Sequence, residues 1–252
     1  MARAAMRDTA SVLAATRALD DDLIRRATAA GGEQYSQLLS LAYRQAYAGT
    51  ILVWVPSRQK QWQFLKEISS DGDISTVDVI FPASPLYALM QPDWLWQLLE
   101  PLMAYSNNET NVAYNLPWAP HHLGHYPVCN LPPNKQEQMP LEESGNMLIM
   151  LSAIAAAKNT TDFIPDEYWP IMASWAHYVN ITAKIPGNQL STDDFLGPLK
   201  NASNLAVKGY VAMGAYAELL RGHGDARGAD AFWNEALGYL PYFDAHAFDD
   251  SQ

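Results

Sequence analysis

Residues 143–157 read Glu-Ser-Gly-Asn-Met-Leu-Ile-Met-Leu-Ser-Ala-Ile-Ala-Ala-Ala, and from Met147 onward this segment is apolar on nearly every side. A helix without a polar face is expected to be buried all round. The next helical pattern, residues 166–183, has only one apolar stripe and is therefore expected to be half exposed. A buried helix followed by an amphipathic one is the repeating unit of a toroid of helical hairpins.

The same alternation extends over most of the chain and predicts an all-α fold with about four hairpins, fewer than the six of a closed toroid. The other helical patterns cover residues 10–30, 34–48, 85–105 (interrupted at Pro92), 202–221 and 230–240. Gly31-Gly32 is a stop signal for the first of these helices.

Residues 53–79 differ in character from their surroundings. Val53-Trp54-Val55, Trp62-Gln63-Phe64 and residues 75–79 favour extended chain, and Asp71-Gly72 is a turn signal. We therefore predict a short β insertion between helices. Residues 106–140 show little periodicity, but their aromatic side chains favour an ordered loop, and a loop of this length is usually functional if it is ordered.

Composition limits the classes of partner. The chain has 252 residues, of which 49% are hydrophobic, and its formal net charge is −11 from 16 basic and 27 acidic residues. Nucleic acids and anionic membranes reward clustered Lys and Arg, and we find no such cluster. No apolar run approaches the roughly 20 residues that a membrane-spanning helix needs. We therefore expect neither nucleic acid nor a membrane as a partner.

The single cysteine, Cys129, excludes an internal disulfide framework and a Cys-rich metal site. Residues 1–19 hold three arginines and lack the apolar stretch of a signal peptide. The protein is therefore expected either to stay inside the cell or to lack its true N-terminus in this sequence. The four Asn-x-Ser/Thr sequons, at Asn108, Asn159, Asn180 and Asn201, would matter only on the secretory route.

Four segments carry specific motifs. The first is Phe-Leu-Lys-Glu-Ile-Ser-Ser-Asp-Gly at 64–72 with Thr-Val-Asp-Val at 76–79, and the second is Ala-Pro-His-His-Leu-Gly-His-Tyr-Pro at 119–127. The third is Met-Pro-Leu-Glu-Glu-Ser-Gly-Asn-Met at 139–147, and the fourth is Gln-Leu-Ser-Thr-Asp-Asp-Phe at 189–195. In this order and spacing, the chain resembles the glutaminase A family of fungi and bacteria over about residues 29–226.

The resemblance implies an (α/α)6 toroid, the six-hairpin glycosidase-like fold, here incomplete and with a short β insertion. We expect residues 1–28 to form a helical lead-in and residues 29–252 to form the six-hairpin domain, truncated on its C-terminal side. The family pattern also implies a preceding β-rich domain, further hairpins and secretion. An incomplete toroid would expose apolar inner helices, so self-association is a possible consequence.

The resemblance further implies hydrolysis of the side-chain amide of glutamine to glutamate and ammonia, without a cofactor. The sequence shows neither a Gly-x-Ser-x-Gly elbow nor a Ser-x-x-Lys signature, and Cys129 lacks a cysteine-amidase motif. Carboxylates are then the candidate acid–base groups. The candidate catalytic residues are Asp78, Glu142, Glu143, Asp193 and Asp194.

Each carboxylate also has a structural interpretation. Glu142 and Glu143 favour the first turn of a helix, where the helix dipole would keep them ionised. Asp193 and Asp194 could cap a helix or, as a pair, push their pKa values apart. Asp78 stands in an apolar strand-like context, where a buried partner or a substrate contact would explain it.

Substrate binding is expected from the remaining motif positions, because a zwitterion such as glutamine needs both signs of charge. The candidates are Lys66, Glu67, His121, His122, Tyr126 and Asn146. The family motif usually reads His-Asp-Leu-Gly where this chain has His121-His122-Leu123-Gly124, so a carboxylate role at position 122 would be lost or altered. A metal site on the histidine cluster is disfavoured, because adjacent histidines point in different directions.

Two other functions stay open at this stage. The six-hairpin toroid also serves glycoside hydrolases that use two carboxylates, which would face one cleft about 5–10 Å apart. Fold analogy alone is weak support for that assignment. The chain could also be a non-catalytic fragment.

Overall fold

The computed structural model describes residues 8–67, 72–136, 139–191 and 197–247. The predicted site residues Asp193 and Asp194 therefore lie outside the described residues. The chain divides into two compact units, residues 1–50 and 51–252. None of the helices in the described ranges is both long enough and apolar enough to cross a membrane.

The first unit is built around helix α1, Thr9–Ala48, which bends at Gly32. Gly32 has φ 82°, a backbone conformation that glycine adopts without steric cost. Residues from both arms, 16–24 and 40–48, line one shared cavity of about 810 Å³, so the arms lie side by side. The sequence-based stop at Gly31-Gly32 is confirmed.

The second unit opens with a two-stranded β-hairpin and continues with helices. Strands β1 (Thr50–Val55) and β2 (Lys60–Leu65) pair with each other. Within the described residues, six helices follow as three sequential pairs: α2 (Val77–Met90) with α3 (Pro92–Ser106), α4 (Pro140–Lys158) with α5 (Trp169–Ala183), and α6 (Ser203–His223) with α7 (Ala226–His246). Single 3₁₀ turns occur at Pro133–Lys135 and Asp166–Tyr168. The prediction of an all-α fold with a short β insertion is confirmed.

Helix α4 is the central helix of the second unit, since it contacts α2, α3, α5 and α6. Its residues 140–148 are all buried, and burial extends to Ile154. The predicted inner position is thus confirmed for most of the helix. The C-terminal half departs from it in part, because Ile149, Ser152, Ala153 and Ala155 are half-buried and Ala156 and Ala157 are exposed.

Residues 77–79 are not extended chain, and the strand prediction there is wrong. Helix α2 begins at Val77, after Ser75 with φ 58° and Thr76 in an extended conformation. Val77, Ile80 and Tyr87 are all buried on this helix, at a spacing that suits one helical face. Asp78 therefore sits in the first turn of a helix, where an acidic residue is favourable.

The long loop between α3 and α4 is ordered around its aromatic residues, as the sequence predicts. The rings of Tyr105 and Tyr114 pack with centroids 5.1 Å apart, and Tyr114 donates a hydrogen bond to the carbonyl of Trp118 (2.7 Å). Backbone hydrogen bonds fasten the loop to the start of α2: Val77 N–H donates to His121 O (2.8 Å) and Leu123 N–H to Ile74 O (2.9 Å). The histidine motif is thereby brought next to Asp78.

Gly209 is a position where α6 lies directly against α5, and this predicts a large cost for a side chain there. A Cβ at position 209 would lie 2.3 Å from the Cβ of Ala183. We expect Gly209→Ala to lower the free energy of unfolding by about 1–3 kcal/mol, because the helices would have to separate. Urea unfolding of this variant measures the change.

Gly238→Ala is the matched control for that substitution. Gly238 lies on exposed surface of α7 with open space around its Cα. Alanine there should stabilise the helix by up to about 1 kcal/mol. Equal effects of the two variants would contradict the steric explanation.

Candidate acid–base site at the start of helix α4

The first turns of α4 hold three polar side chains in a fully buried position. Glu142 and Glu143 are each 1% exposed and Asn146 is 0% exposed. The side-chain amide nitrogen of Asn146 donates to Glu142 Oε1 and to Glu143 Oε2, both at 3.2 Å. The helical spacing of these residues therefore places one amide across two carboxyl groups, as the motif positions suggested.

His121 connects this helix to α2. Its Nδ1 lies 2.5 Å from Glu143 Oε1 and 3.8 Å from Asp78 Oδ1. The side chain of Asp78 is 15% exposed, so it is the most accessible of the three groups. The structure thus brings together five of the predicted site residues: Asp78, His121, Glu142, Glu143 and Asn146.

The protonation of Glu143 differs from the expectation based on the helix dipole alone. Burial raises the pKa of Glu143 from 4.5 to about 8, and the nearby carboxylates of Asp78 and Glu142 add to the rise while His121 opposes it. Desolvation therefore outweighs the dipole, and Glu143 holds a proton at neutral pH. When protonated, it can donate that proton to Nδ1 of His121.

Asp78 is also a perturbed carboxyl group. Burial raises its pKa above the ordinary value; His121 opposes the rise, and Glu142 and Glu67 contribute to it. When ionised, such a carboxylate is a stronger base than an ordinary aspartate. Two carboxyl groups with raised pKa values near the same imidazole nitrogen, Nδ1 of His121, form an arrangement suited to proton transfer.

Lys208 is a site residue that the sequence interpretation missed. It projects from α6, forms an ion pair with Glu142 and donates a hydrogen bond to Asn146 Oδ1 (2.8 Å). In the sequence it is one lysine within an amphipathic helix, next to Gly209, and it belongs to none of the four motifs. Its position against α4 follows only from helix packing.

His122 faces a different carboxylate from His121. The two imidazole rings are nearly perpendicular (88°), which confirms that adjacent histidines point apart. Nδ1 of His122 lies 3.1 Å from Asp73 Oδ1, and Nδ1 of His125 lies 2.6 Å from the same oxygen. Asp73, which the sequence interpretation did not select, therefore lies beside both His122 and His125.

Gln136 fixes the backbone of the two adjacent histidines. Its Oε1 accepts hydrogen bonds from the backbone N–H of His121 (2.9 Å) and His122 (3.3 Å), and its Nε2 donates to His122 O (2.7 Å) and to Tyr105 OH (3.2 Å). The residue is buried. It was not selected from the sequence, because one glutamine in a long loop gives no pattern.

Gln136→Leu is predicted to destabilise the loop, because leucine leaves buried backbone donors without an acceptor. We expect a loss of about 2–4 kcal/mol in the free energy of unfolding. Thermal unfolding of the variant beside Gln61→Leu, an exposed position on β2, measures it. A loss no larger than that of the control would contradict the stabilisation of the loop by the hydrogen bonds of Gln136.

Three other predicted binding residues lie outside the buried cluster. Lys66 pairs through its backbone with Ile74 in an isolated antiparallel bridge. Glu67 instead accepts a hydrogen bond from the Thr76 hydroxyl (2.5 Å) and lies close enough to raise the pKa of Asp78. Tyr126 is 60% exposed and lines a separate groove.

Cys129 lines the same groove as Tyr126 and has no activated character. Burial raises the pKa of its thiol above the ordinary value. A catalytic cysteine needs the opposite shift, because the thiolate is the nucleophile. The packing interpretation of Cys129 is therefore favoured.

One group among the described ranges offers metal-ligand atoms close together, namely Asp78, His121 and Glu143, all within 4.8 Å of one another. Ligands at about 2.0–2.1 Å from a tetrahedral zinc ion would lie roughly 3.3 Å apart. The 2.5 Å between His121 and Glu143 is a hydrogen-bond distance instead. The geometry fits a shared proton better than a cation, and the absence of a metal stays a prediction.

Comparison with known proteins agrees with the motifs. Residues 32–252 match the family model described as the glutaminase A six helical-hairpin domain. Glutaminase A of Aspergillus oryzae is 39% identical over 222 residues, which cover 86% of this chain and 31% of that protein. A probable glutaminase of Arthroderma benhamiae is 30% identical over 298 aligned positions, covering 96% of this chain and 34% of the relative. The chain spans about a third of the length of these relatives. It belongs to the glutaminase A family, through the six helical-hairpin domain.

Proposed function

We propose that this chain hydrolyses the side-chain amide of L-glutamine to L-glutamate and ammonia. The observation that carries the proposal is the buried Glu143 carboxyl, whose pKa of about 8 keeps it protonated at neutral pH beside His121 and Asp78. Amide hydrolysis needs a proton donor for the leaving nitrogen and a base for the attacking water. This cluster offers both, and membership of the glutaminase A family supports the choice of substrate.

In the proposed reaction, water attacks the amide carbon while Asp78 takes one of its protons. The carbon–nitrogen bond then breaks as Glu143 gives its proton to the leaving nitrogen, which departs as ammonia. The cycle closes when Asp78 releases its proton to water and Glu143 takes up a proton through His121 Nδ1, which lies 2.5 Å from it. Water can reach Asp78, because its side chain is partly exposed.

Charge at the site supports an amino-acid substrate. Glu67 and Glu142 both lie close enough to Asp78 to raise its pKa, so this side of the site is acidic. We place the α-ammonium group of glutamine there, because an ammonium ion is stabilised by nearby carboxylates. Lys66 and His122 remain proposals for the rest of the substrate.

The rival assignment, glycoside hydrolysis, is less well supported by the geometry. The nearest oxygens of Asp78 and Glu143 lie within 4.8 Å of each other, with His121 beside both. An inverting glycosidase needs about 6.5–9.5 Å between its carboxyl groups to admit a water. A retaining enzyme, at about 5–5.5 Å, is the remaining form of this alternative.

Product analysis separates the two assignments. The purified chain is incubated with L-glutamine and, separately, with a panel of nitrophenyl glycosides. Equal amounts of ammonia and glutamate from glutamine, without nitrophenol release, are the expected result. Nitrophenol release that is lost in Glu143→Gln, without ammonia from glutamine, would overturn the proposal in favour of glycoside hydrolysis.

A further inference from the structure

Glu143 is too deeply buried to touch a substrate itself. Its side chain is 1% exposed, whereas the side chain of His121 is 9% exposed. A proton donor must come within hydrogen-bond distance of the atom that it protonates. Glu143 therefore needs a neighbouring group to carry its proton, and His121, with Nδ1 at 2.5 Å from Glu143 Oε1, is in position to do so.

The two carboxyl oxygens of Glu143 have different partners, and this determines where its proton lies. Asn146 Nδ2 donates to Oε2 (3.2 Å), and the amide is held in this orientation because its Oδ1 accepts from the side-chain nitrogen of Lys208 (2.8 Å). Oε2 is thus an acceptor. The 2.5 Å between Oε1 and Nδ1 of His121 requires a hydrogen between these two atoms, because their lone pairs would otherwise repel. The Glu143 proton therefore lies on the Oε1 side, against Nδ1.

The shared proton also determines the state of the other ring nitrogen of His121. If the proton stays on Oε1, Nδ1 is an acceptor and the neutral ring carries its own hydrogen on Nε2. If the proton moves to Nδ1, the ring is an imidazolium and Nε2 again carries a hydrogen. Nε2 is therefore a donor in both cases. Burial, which raises the pKa of Glu143 to about 8, extends this state through neutral pH.

We propose that the Glu143 proton reaches the leaving nitrogen through His121, so that Nε2 of His121 is the group that donates to the substrate. The inference rests on the proposed function for its catalytic meaning, although the hydrogen on Nε2 can be measured independently. His121 is then a catalytic residue. Asn146 is a positioning residue, because it holds Oε2 as an acceptor and leaves Oε1 to carry the proton.

The proton balance of this route is simple. As the carbon–nitrogen bond breaks, the Nε2–H bond breaks and a new N–H bond forms on the leaving nitrogen, while the proton on Glu143 Oε1 passes to Nδ1. Glu143 is then a carboxylate that accepts a hydrogen bond from Nδ1–H. Uptake of a proton from solvent at Nε2 returns the Nδ1 proton to Glu143 and restores the starting state.

Other titratable or charged groups surround the pair in the described ranges. They are Asp78 of α2, Tyr105 of α3 behind Tyr114 of the loop, His122 of the loop, Glu142 of α4 and Lys208 of α6 behind Glu142. Titration of a neighbour changes the charge beside the ring but does not remove the hydrogen from Nε2, whereas loss of the shared proton does. The hydrogen on each ring nitrogen is therefore a more specific readout than a pH profile of activity.

NMR of ¹⁵N-labelled histidine rings tests the inference on the wild type. Long-range ¹H–¹⁵N correlation shows which ring nitrogen carries a hydrogen, and the His121 signals are assigned from their loss in His121→Gln. At neutral pH we expect Nε2 to carry a hydrogen. As the pH rises through about 8, the pair loses its shared proton and Glu143 becomes an acceptor. The hydrogen should then leave Nε2 and reside on Nδ1.

Glu143→Gln is the matched control, because the glutamine amide can donate to Nδ1 at every pH. Its His121 should keep the hydrogen on Nε2 throughout the series. Two results in the wild type would overturn the inference: a hydrogen on Nδ1 and none on Nε2 at neutral pH, or an Nε2 hydrogen that persists well above the pKa of Glu143. The same change of nitrogen in Glu143→Gln would overturn it as well, since the change would not come from Glu143.

Activity measurements add a second test. His121→Gln should lower kcat/KM for glutamine at least roughly 100-fold, whereas His177→Gln, at an exposed position on α5, should keep the wild-type value. The His121→Gln/Glu143→Gln double variant should lose no more than either single variant, because the two residues act as a unit. A His121→Gln variant within a few-fold of the His177→Gln control would reject the route through His121.

The two readouts separate this inference from the proposed function. The expected change of nitrogen without ammonia release from the wild type would reject the glutaminase function and leave His121 as the donor of the pair. Ammonia release by a wild type whose His121 carries no hydrogen on Nε2 at neutral pH would reject the route and leave the function intact.

Discussion

Replacing Glu143 by glutamine is expected to lower kcat/KM for ammonia release from L-glutamine at least roughly 100-fold. The amide keeps the shape of the side chain but cannot give a proton to the leaving nitrogen. A 100-fold loss corresponds to about 2.7 kcal/mol of transition-state stabilisation. Steady-state assays of wild type and variant, matched by circular dichroism, measure the effect.

Glu218→Gln is the control for this prediction, because Glu218 is an exposed glutamate on α6 that pairs with Arg221. It should keep wild-type kcat/KM. If Glu143→Gln retained activity within a few-fold of this control, Glu143 would not be the proton donor.

The same variant should also change how stability depends on pH. The pKa of Glu143 is about 8 in the folded chain against 4.5 as its ordinary value, so between these pH values the folded state binds a proton that the unfolded state has lost. This group therefore makes the free energy of unfolding of the wild type fall as the pH rises, by up to about 1.4 kcal/mol per pH unit. Glu143→Gln lacks this contribution, and its stability relative to the wild type should increase from pH 4.5 to 8.

Replacing Asp78 by asparagine is expected to lower kcat/KM for glutamine by roughly 100-fold or more, since asparagine cannot accept a proton from the attacking water. The substitution also removes an acidic neighbour that raises the pKa of Glu143. The alkaline limb of any remaining activity should therefore move to lower pH. Rate measurements across a pH series test both expectations.

Asp93→Asn serves as the control for Asp78→Asn. Asp93 is exposed near the start of α3 and pairs with Lys158. Wild-type rates are expected from it. Unchanged rates in Asp78→Asn would mean that another group accepts the proton of the attacking water. The role of base proposed for Asp78 would then be wrong.

Hydrophobic pattern was sufficient to predict the overall architecture. The segment 147–157, which is apolar on nearly every side, predicted a buried helix, because a helix without a polar face has no stable position in water. The pattern failed at residues 77–79, where three residues fit either a strand or a helix turn. Helical spacing from Val77 through Ile80 to Tyr87 resolves that ambiguity, and it appears only when the longer window is considered.

Only the site residues that belong to the four sequence motifs could be predicted from the sequence. Glu142, Glu143 and Asn146 are close in sequence on one helix, so their proximity follows from helical geometry. The contact between His121 and Glu143 joins two different motifs and could be expected from the family resemblance alone. Lys208 and Gln136 contribute through packing between distant segments, and no local pattern marks either of them.

The electrostatic character of Glu143 could not be predicted from its position in the helix. The helix dipole favours an ionised glutamate by about 0.3–1 kcal/mol, whereas burial of a carboxylate costs several kcal/mol. Which effect prevails depends on how completely the neighbouring elements cover the side chain. The Glu143 side chain is buried because α2, α3, α5 and α6 all pack against α4.

Ammonia release from L-glutamine by the purified chain at neutral pH tests the central claim most directly. The sample should first be confirmed as folded and free of aggregates by circular dichroism and size-exclusion chromatography. We predict release by the wild type, with glutamate formed in equal amount, and a loss of at least roughly 100-fold in Glu143→Gln. A folded wild-type chain that releases no ammonia, or a Glu143→Gln chain that releases it at the wild-type rate, would contradict the account.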